Sequence, residues 1–331
     1  MRRLQRSRAV LVAITLFSAL AHWASNLRAS ADDYPTRPIT LVVPFPPGGS
    51  TSIVARIVAD KMSEALGQQI VVDNRAGAGG TVATRQVAKM APDGYTILLA
   101  YTGTLATGPS LYPDAGYDPR KDFAPIGLIG AAPTLLVVYP GFPVHSLKEL
   151  IALAKEKPST INYSSAGIGT VGHIAGELLS TLTDIKLVHI PYKGTGPSLT
   201  DLLGGHVSMS FTPIPAAIGH VHSGALRALA VTAAKRSELA PDVPTSAEAG
   251  LPGLEAALRY GLVAPVGTPA PIIARLNKEL NAALATARVR EQLAAEGAEP
   301  LPGTPEDYAA DIDREETKWS KVVKASGAKL E

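Results

Sequence analysis

"SSAGIGTVGH", Ser164 to His173, holds Gly167, Gly169 and Gly172 in the spacing G-x-G-x-x-G. The apolar stretch "INYS" precedes it and a helical pattern, "IAGELLSTL", follows. Strand, glycine loop and helix together place backbone N–H groups where they can face an anion. That anion could be the pyrophosphate of a dinucleotide, or a lone carboxylate or phosphate. Alternatively the glycines serve only close packing of helix on strand. A dinucleotide site also needs an acid at the end of the next strand to hold the ribose. The next strand, "KLVHIPYKG", contains none and ends in Tyr192-Lys193, while Asp184 precedes it.

A second stretch has the same plan. "PFPPGGSTS" (Pro44–Ser52) follows an apolar strand and presents glycines, then Ser50, Thr51 and Ser52, at a helix start. One helix end contributes about 0.3–1 kcal/mol to anion binding when exposed, up to about 2 when partly buried. Micromolar affinity needs roughly 8 kcal/mol. One loop is therefore insufficient. Two loops on two lobes, closing on one anion with the Thr170 and Ser165 hydroxyls beside them, form a working alternative to the dinucleotide.

Working outward, short β-like runs alternate with helical patterns, the signature of α/β units with largely parallel sheets. "ITLVV", "IVVD" and "YTILLAYTG" are the first strands. A helix from Ser50, with Ser50 as its cap and Ile53, Val54, Ile57 and Val58 on its apolar face, ends at Gly67. Residues 112–126 read as an irregular crossing. "TLLVVY" then starts a second unit, whose first helix opens on the capping box Ser146-x-x-Glu149. The last helix begins at Thr304-Pro305. The expected organisation is a leader at 1–31, a first lobe at 32–126, a second at 127–240, and a segment 241–331 that returns to complete the first.

The chain has 331 residues, 46% apolar and 18% charged, enough for two packed domains. "MRRLQRSR", the largely apolar run of thirteen "AVLVAITLFSALA" and Ala29-Ser30-Ala31 read as a cleaved secretory signal, so the protein is expected to be exported. Without residues 1–31 the balance becomes 26 Lys and Arg against 29 Asp and Glu, a net of −3. No basic cluster suggests nucleic acid. The absence of cysteine excludes disulfides and thiol chemistry. His220-x-His222 is the one close histidine pair and lacks further ligands, so no metal is expected. No nucleophile elbow or acid–base pair stands out, so no catalytic residue is nominated.

The runs "YPTRPITLVVPFPPGGSTSIVARIVADKM", "VVDNRAGAGGTVAT", "SSAGIGTVGHIAGELL", "HIPYKGTGPSLTDLLGGHV" and "YGLVAPVGTP" occur in an order that resembles the Bug/TctC family. These are periplasmic solute-binding receptors of tripartite tricarboxylate transporters, and the likeness spans Tyr34 to the C-terminus. It implies a two-lobed type II periplasmic-binding-protein fold, a Venus-flytrap with the ligand cleft between the lobes. It implies capture of a di- or tricarboxylate or aromatic acid, delivery to membrane transporter subunits, a monomer, no cofactor and no catalysis.

Carried over by position, the first binding loop is Phe45 to Ser52, with Gly48, Gly49, Ser50 and Thr51 as donors. The second supplies Ser165, Ala166, Gly167, Gly169 and Thr170. Thr102, Thr104, Tyr192 and Thr212 are expected to line the cleft. Ser52, His206 and Ser208 depart from the family pattern; Ser52 stands where many relatives carry an acid, which weighs against ligands needing a partner for an ammonium. Two alternatives remain at this point: an NAD(P)-dependent oxidoreductase using the Gly167–Gly172 loop, and a receptor of this fold that signals rather than transports.

Overall fold

The computed structural model describes residues 34–112 and 114–326; the expected leader lies outside them. Strands β1 (Ile39–Val43), β2 (Ile70–Asn74) and β3 (Thr96–Tyr101) run parallel in the order β2-β1-β3. β1 is apolar without alternation because both faces are covered. Leu41 and Val43 join a cluster with helix α1 (Ser50–Leu66), and Val42 joins the opposite one with α2 (Thr81–Val87).

Two details of α1 differ from expectation. Gly49, in extended conformation, is its N-cap, and Ser50 is the first helical residue with no side-chain cap bond. Ile53 is exposed, because the buried arc centres on Thr51, Val54, Val58 and Met62, and Ile53 lies across the helix from it. The helix does end at Gly67, left-handed at φ +67°.

After β3, a wide helical turn (Gly103–Thr107) and short α3 (Gly108–Leu111) lead to β4 (Phe123–Val138). This sixteen-residue strand corrects the irregular reading of 112–126, whose last part is strand. Pro125 and Gly127, then Leu128 and Gly130, sit at register shifts, so residues that read as coil are accommodated as bulges. The first part of β4, to Pro133, pairs antiparallel with β9 (Ala257–Pro265). From Thr134 it pairs instead with β7 (Met209–Pro213) and β8 (Arg227–Val231). One strand thus belongs to two sheets.

The second sheet continues β7-β5-β6, all parallel, with β5 at Asn162–Ser165 and β6 at Val188–Pro191 on the edge. Its helices are α4 (Leu147–Glu156), α5 (Val171–Thr183), α6 (Thr195–Leu203) and α7 (Ile214–His222). At α4 the Glu149 N–H donates to Ser146 Oγ at 3.1 Å, while the Glu149 carboxylate accepts from His145 N–H at 2.7 Å. Residues 241–256 stay with this sheet: Val231 bridges Thr245, and Leu254 and Ala256 join its core.

β9 then enters the first sheet between β3 and β4. Helices α8 (Ala270–Ala285) and α9 (Ala287–Ala295) cover that sheet, and β10 (Glu299–Pro300) pairs with β4. The final helix, α10 (Pro305–Ser326), opens with reciprocal bonds between Thr304 and Asp307. It puts Tyr308 and Ile312 on the first sheet and Trp319 and Val322 in the core of the second. Among the described residues no helix is long and apolar enough to cross a membrane.

Candidate functional site

The parallel strands of each sheet direct their carboxyl ends into one cleft, of about 720 Å³. This is where α/β sheets expose helix N-termini and loop amides. From the first sheet come Phe45 and the start of α1 after β1, the loop Ala76–Gly80 after β2, and Tyr101 at the end of β3. From the second come Thr170 and Gly172 after β5, Lys193 to Thr195 after β6, and Phe211 to Pro213 in β7.

Three of the helices that border this cleft, α1, α5 and α6, begin without a side-chain cap bond or an acidic residue in the first turn. Each such end carries roughly half a positive charge. Nothing local neutralises the three, and the lining holds no Asp or Glu. Lys193 is its one formally charged side chain. Thr212 is 2% exposed and its Oγ1 has no hydrogen-bond partner among the described residues. A buried polar atom of this kind costs about 1–3 kcal/mol unless satisfied, and this one borders the cleft.

Of the residues expected at the site, Phe45, Gly49, Ser50, Thr51, Ala166, Thr170 and Thr212 line the cleft. The others are near it without lining it. Ser52 is buried and bonded to the Asn74 amide, so it faces β2. Thr102 accepts from Arg259 N–H at 2.9 Å and holds β3 to β9. Thr104 closes the turn onto Tyr101. Tyr192 donates to Asp201 Oδ2 at 2.6 Å. Gly48, Ser165, Gly167 and Gly169 shape the loops rather than their inner surface.

Behind the second loop lies a polar network. The Gly169 N–H donates to His173 Nδ1 at 3.1 Å, which leaves Nε2 facing Glu177 at 3.8 Å. The His173 ring stacks on His189 at 4.1 Å, and His189 Nε2 lies 2.7 Å from Ser165 Oγ. Tyr163 donates to Glu177 at 2.7 Å. Burial pushes the imidazole of His173 down to about 4. Burial, and then the neighbouring His173, push that of His189 down to about 3. Both rings are neutral near pH 7, so the approach of His173 to Glu177 is a dipolar contact.

The third glycine of the opening motif has a packing role. A Cβ at Gly172 would stand 2.5 Å from the Phe211 carbonyl oxygen, so helix and strand could not approach as they do. The loop Ala76–Gly80 is not among the residues expected at the site, although its sequence, "NRAGAGG", is a glycine-rich run after a strand as in the other two loops. Gly80 is left-handed at φ +86°, and a Cβ there would meet Pro44 at 2.8 Å. Arg75 beside it pairs with Asp73 at 2.8 Å. The apolar wall of Tyr101, Val171, Phe211 and Leu258 could not be read from sequence, since core and cleft apolar residues look alike there. Among the described residues, no group of three or more His, Cys, Asp or Glu is placed to hold a metal.

Comparison with known proteins gives a consistent result. The model of the tripartite tricarboxylate transporter family receptor, TctC, matches residues 54–328. Protein BugT of Bordetella pertussis is 42% identical over 322 residues, covering 97% of this chain and 98% of BugT. The solved structure of R. palustris Rpa4515 with adipate is 41% identical with a TM-score of 0.81, covering 90% of this chain and all of that one. MatC from Rhodopseudomonas palustris with bound malate is 37% identical with a TM-score of 0.78, covering 88% and 100%.

Proposed function

The chain belongs to the tripartite tricarboxylate transporter receptor family, and on that premise we propose that it captures a small carboxylate in its cleft and delivers it to membrane subunits of such a transporter. Its relatives are solute-binding proteins rather than enzymes, so the oxidoreductase reading of the Gly167–Gly172 loop falls. The solved relatives with adipate and malate make a carboxylate the natural class for this cleft.

The observation that carries the reading is the set of three uncapped helix starts around the unpartnered Thr212 Oγ1, with no acid in the lining. Backbone N–H groups at Ser50, Thr51, Val171 and Gly172, with hydroxyls at Ser50 and Thr212, are the proposed donors; the Thr170 hydroxyl donates to the Gly167 carbonyl at 2.7 Å and fixes the loop. Gly48, Ser52, Thr102, Thr104, Ser165, Gly167, Gly169 and Tyr192 are proposed to hold those donors in place.

The proposed lobes are the two sheets with their helices. One runs to Pro133, where β4 changes partners, and takes in the returning chain from Ala257; the other runs from Thr134 to Ala256. They swing about β4 and the β8–β9 connection. We place the mature protein in the periplasm as a monomer, after removal of residues 1–31.

A thermal-shift screen of the mature chain, refolded to free it of carried-over ligand, tests the reading. A carboxylate at 100 times its Kd stabilises by about 2.7 kcal/mol, a shift of about 5 °C at this size. The expected result is such a shift with a carboxylate and none with its amide. A shift with NAD(P)H alone would sink the proposal.

A further inference from the structure

Lys193 stands at the lip of the cleft, just past the end of β6, the edge strand of the second sheet. Its side chain makes no ion pair with any described residue, whereas Arg75 is paired with Asp73 and Arg56 is turned to Asn74. Thr212, near the end of β7, lies on the same edge of the same parallel set, with β5 between. Two strand spacings separate them, about 10 Å. The inner end of that span is served by Thr212 and the start of α5, the outer end by Lys193 and the start of α6.

Most of the remaining lining is apolar, and its buried Ser198 and Ser210 direct their hydroxyls to Ser164. Val171 and Phe211 come from one sheet, and Phe45 and Tyr101, with ring centroids 4.9 Å apart, from the other. Such a cleft has one anion site deep inside, a greasy middle and one cation at the rim. No lining side chain could pair with an ammonium.

The geometry points to Lys193 as a specificity-determining residue that reads a second anionic group at the far end of the ligand. The ligand is then a dianion with an apolar spacer and no ammonium. This rests on the carboxylate-receptor reading above and narrows it. The inner carboxylate takes its hydrogen bonds from backbone amides and the Thr212 hydroxyl, and a monoacid can satisfy these equally well. Discrimination therefore comes from the outer end, where a monoacid leaves Lys193 without a partner.

The test measures Kd by calorimetry for three matched pairs: succinate and butyrate, adipate and hexanoate, terephthalate and benzoate. The amino-substituted 2-aminoadipate is added to the panel. The expected result is that, in the tightest pair, the diacid binds about tenfold or more better than its monoacid, as a charge-assisted contact implies. Lys193→Gln lowers the diacid's affinity about tenfold and leaves the monoacid's within twofold, and Lys193→Arg retains most of the binding. Equal binding of diacid and monoacid overturns the inference. So does a Lys193→Gln variant that weakens both alike, or 2-aminoadipate binding as well as adipate. These outcomes all require that some carboxylate binds; if none does, the receptor reading itself has failed.

Discussion

Thr212 carries a buried hydroxyl that has no partner among the described residues. Were it structural, replacing it would destabilise the fold; were it a ligand contact, replacement would remove an unsatisfied polar atom and leave the fold unharmed. Thr212→Val keeps the shape and tests this. The expected outcome is a melting temperature that is unchanged or raised, by up to about 1 kcal/mol equivalent, with carboxylate affinity down about tenfold. A variant that melts lower yet binds normally would make the hydroxyl structural.

His173 offers a second test at the same scale, with the Gly169 N–H, Glu177, Tyr163 and His189 as its polar neighbours and Ser165 bonded in turn to His189. Its folded value of about 4 lies below the usual 6.5 of an unfolded histidine. The stability from this depressed value is present above pH 6.5 and is lost as pH falls from 6.5 towards 4. The full effect is about 3 kcal/mol at 1.36 kcal/mol per unit. His173→Gln keeps an acceptor for the Gly169 N–H, so the decline of melting temperature between pH 6.5 and 4 should flatten. An unchanged profile would mean that this ring does not titrate on unfolding as described.

At the scale of elements, what the sequence discloses depends on whether local chemistry or distant packing decides. The end of α1 at Gly67, the cap at Ser146 and the start of α10 at Thr304 are set by residues within one turn, and all three are legible. β4 is not. Its Pro125, Gly127 and Gly130 oppose a regular strand, and only pairing with β9, more than a hundred residues away, holds them in one. The site divides in the same way. Loops at 45–52 and 165–170 announce themselves by glycines before a helix. The contribution of "NRAGAGG" requires knowing that β2 lies beside β1, and Lys193 requires knowing that β6 ends at the same edge as β5 and β7. The split of Thr102 and Thr104 from the lining follows from side-chain direction. Each hydroxyl is turned to a neighbouring strand or turn, which a position in the chain does not reveal.

For the whole molecule, the connections between the sheets limit how the cleft can move. β4 crosses directly, with its change of partners at Pro133 and Thr134. The chain crosses back between Ala256 and Ala257, next to the bond from Arg259 N–H to Thr102. Helix α10 spans the junction, fixed to the first sheet by the Arg259–Asp311 pair, whose Nε–Oδ2 bond is 2.7 Å, and to the second by fully buried Trp319. Three ties on one side leave the opposite side, where the carboxyl ends face each other, free to close, as in hinge motion about a few element-terminal residues. The proposed closure would bring the N-termini of α1 and α5 onto one anion and shield them from water, which strengthens each contact. Small-angle scattering on the ligand-free mature chain should therefore give a radius of gyration of about 19 Å, falling by about 1 Å with a saturating carboxylate that raises its melting temperature. A ligand that stabilises the protein while leaving the radius unchanged would mean that the lobes are already closed or do not move. The anion would then be held by the preformed loops of a static cleft, with more than one helix start already placed on it.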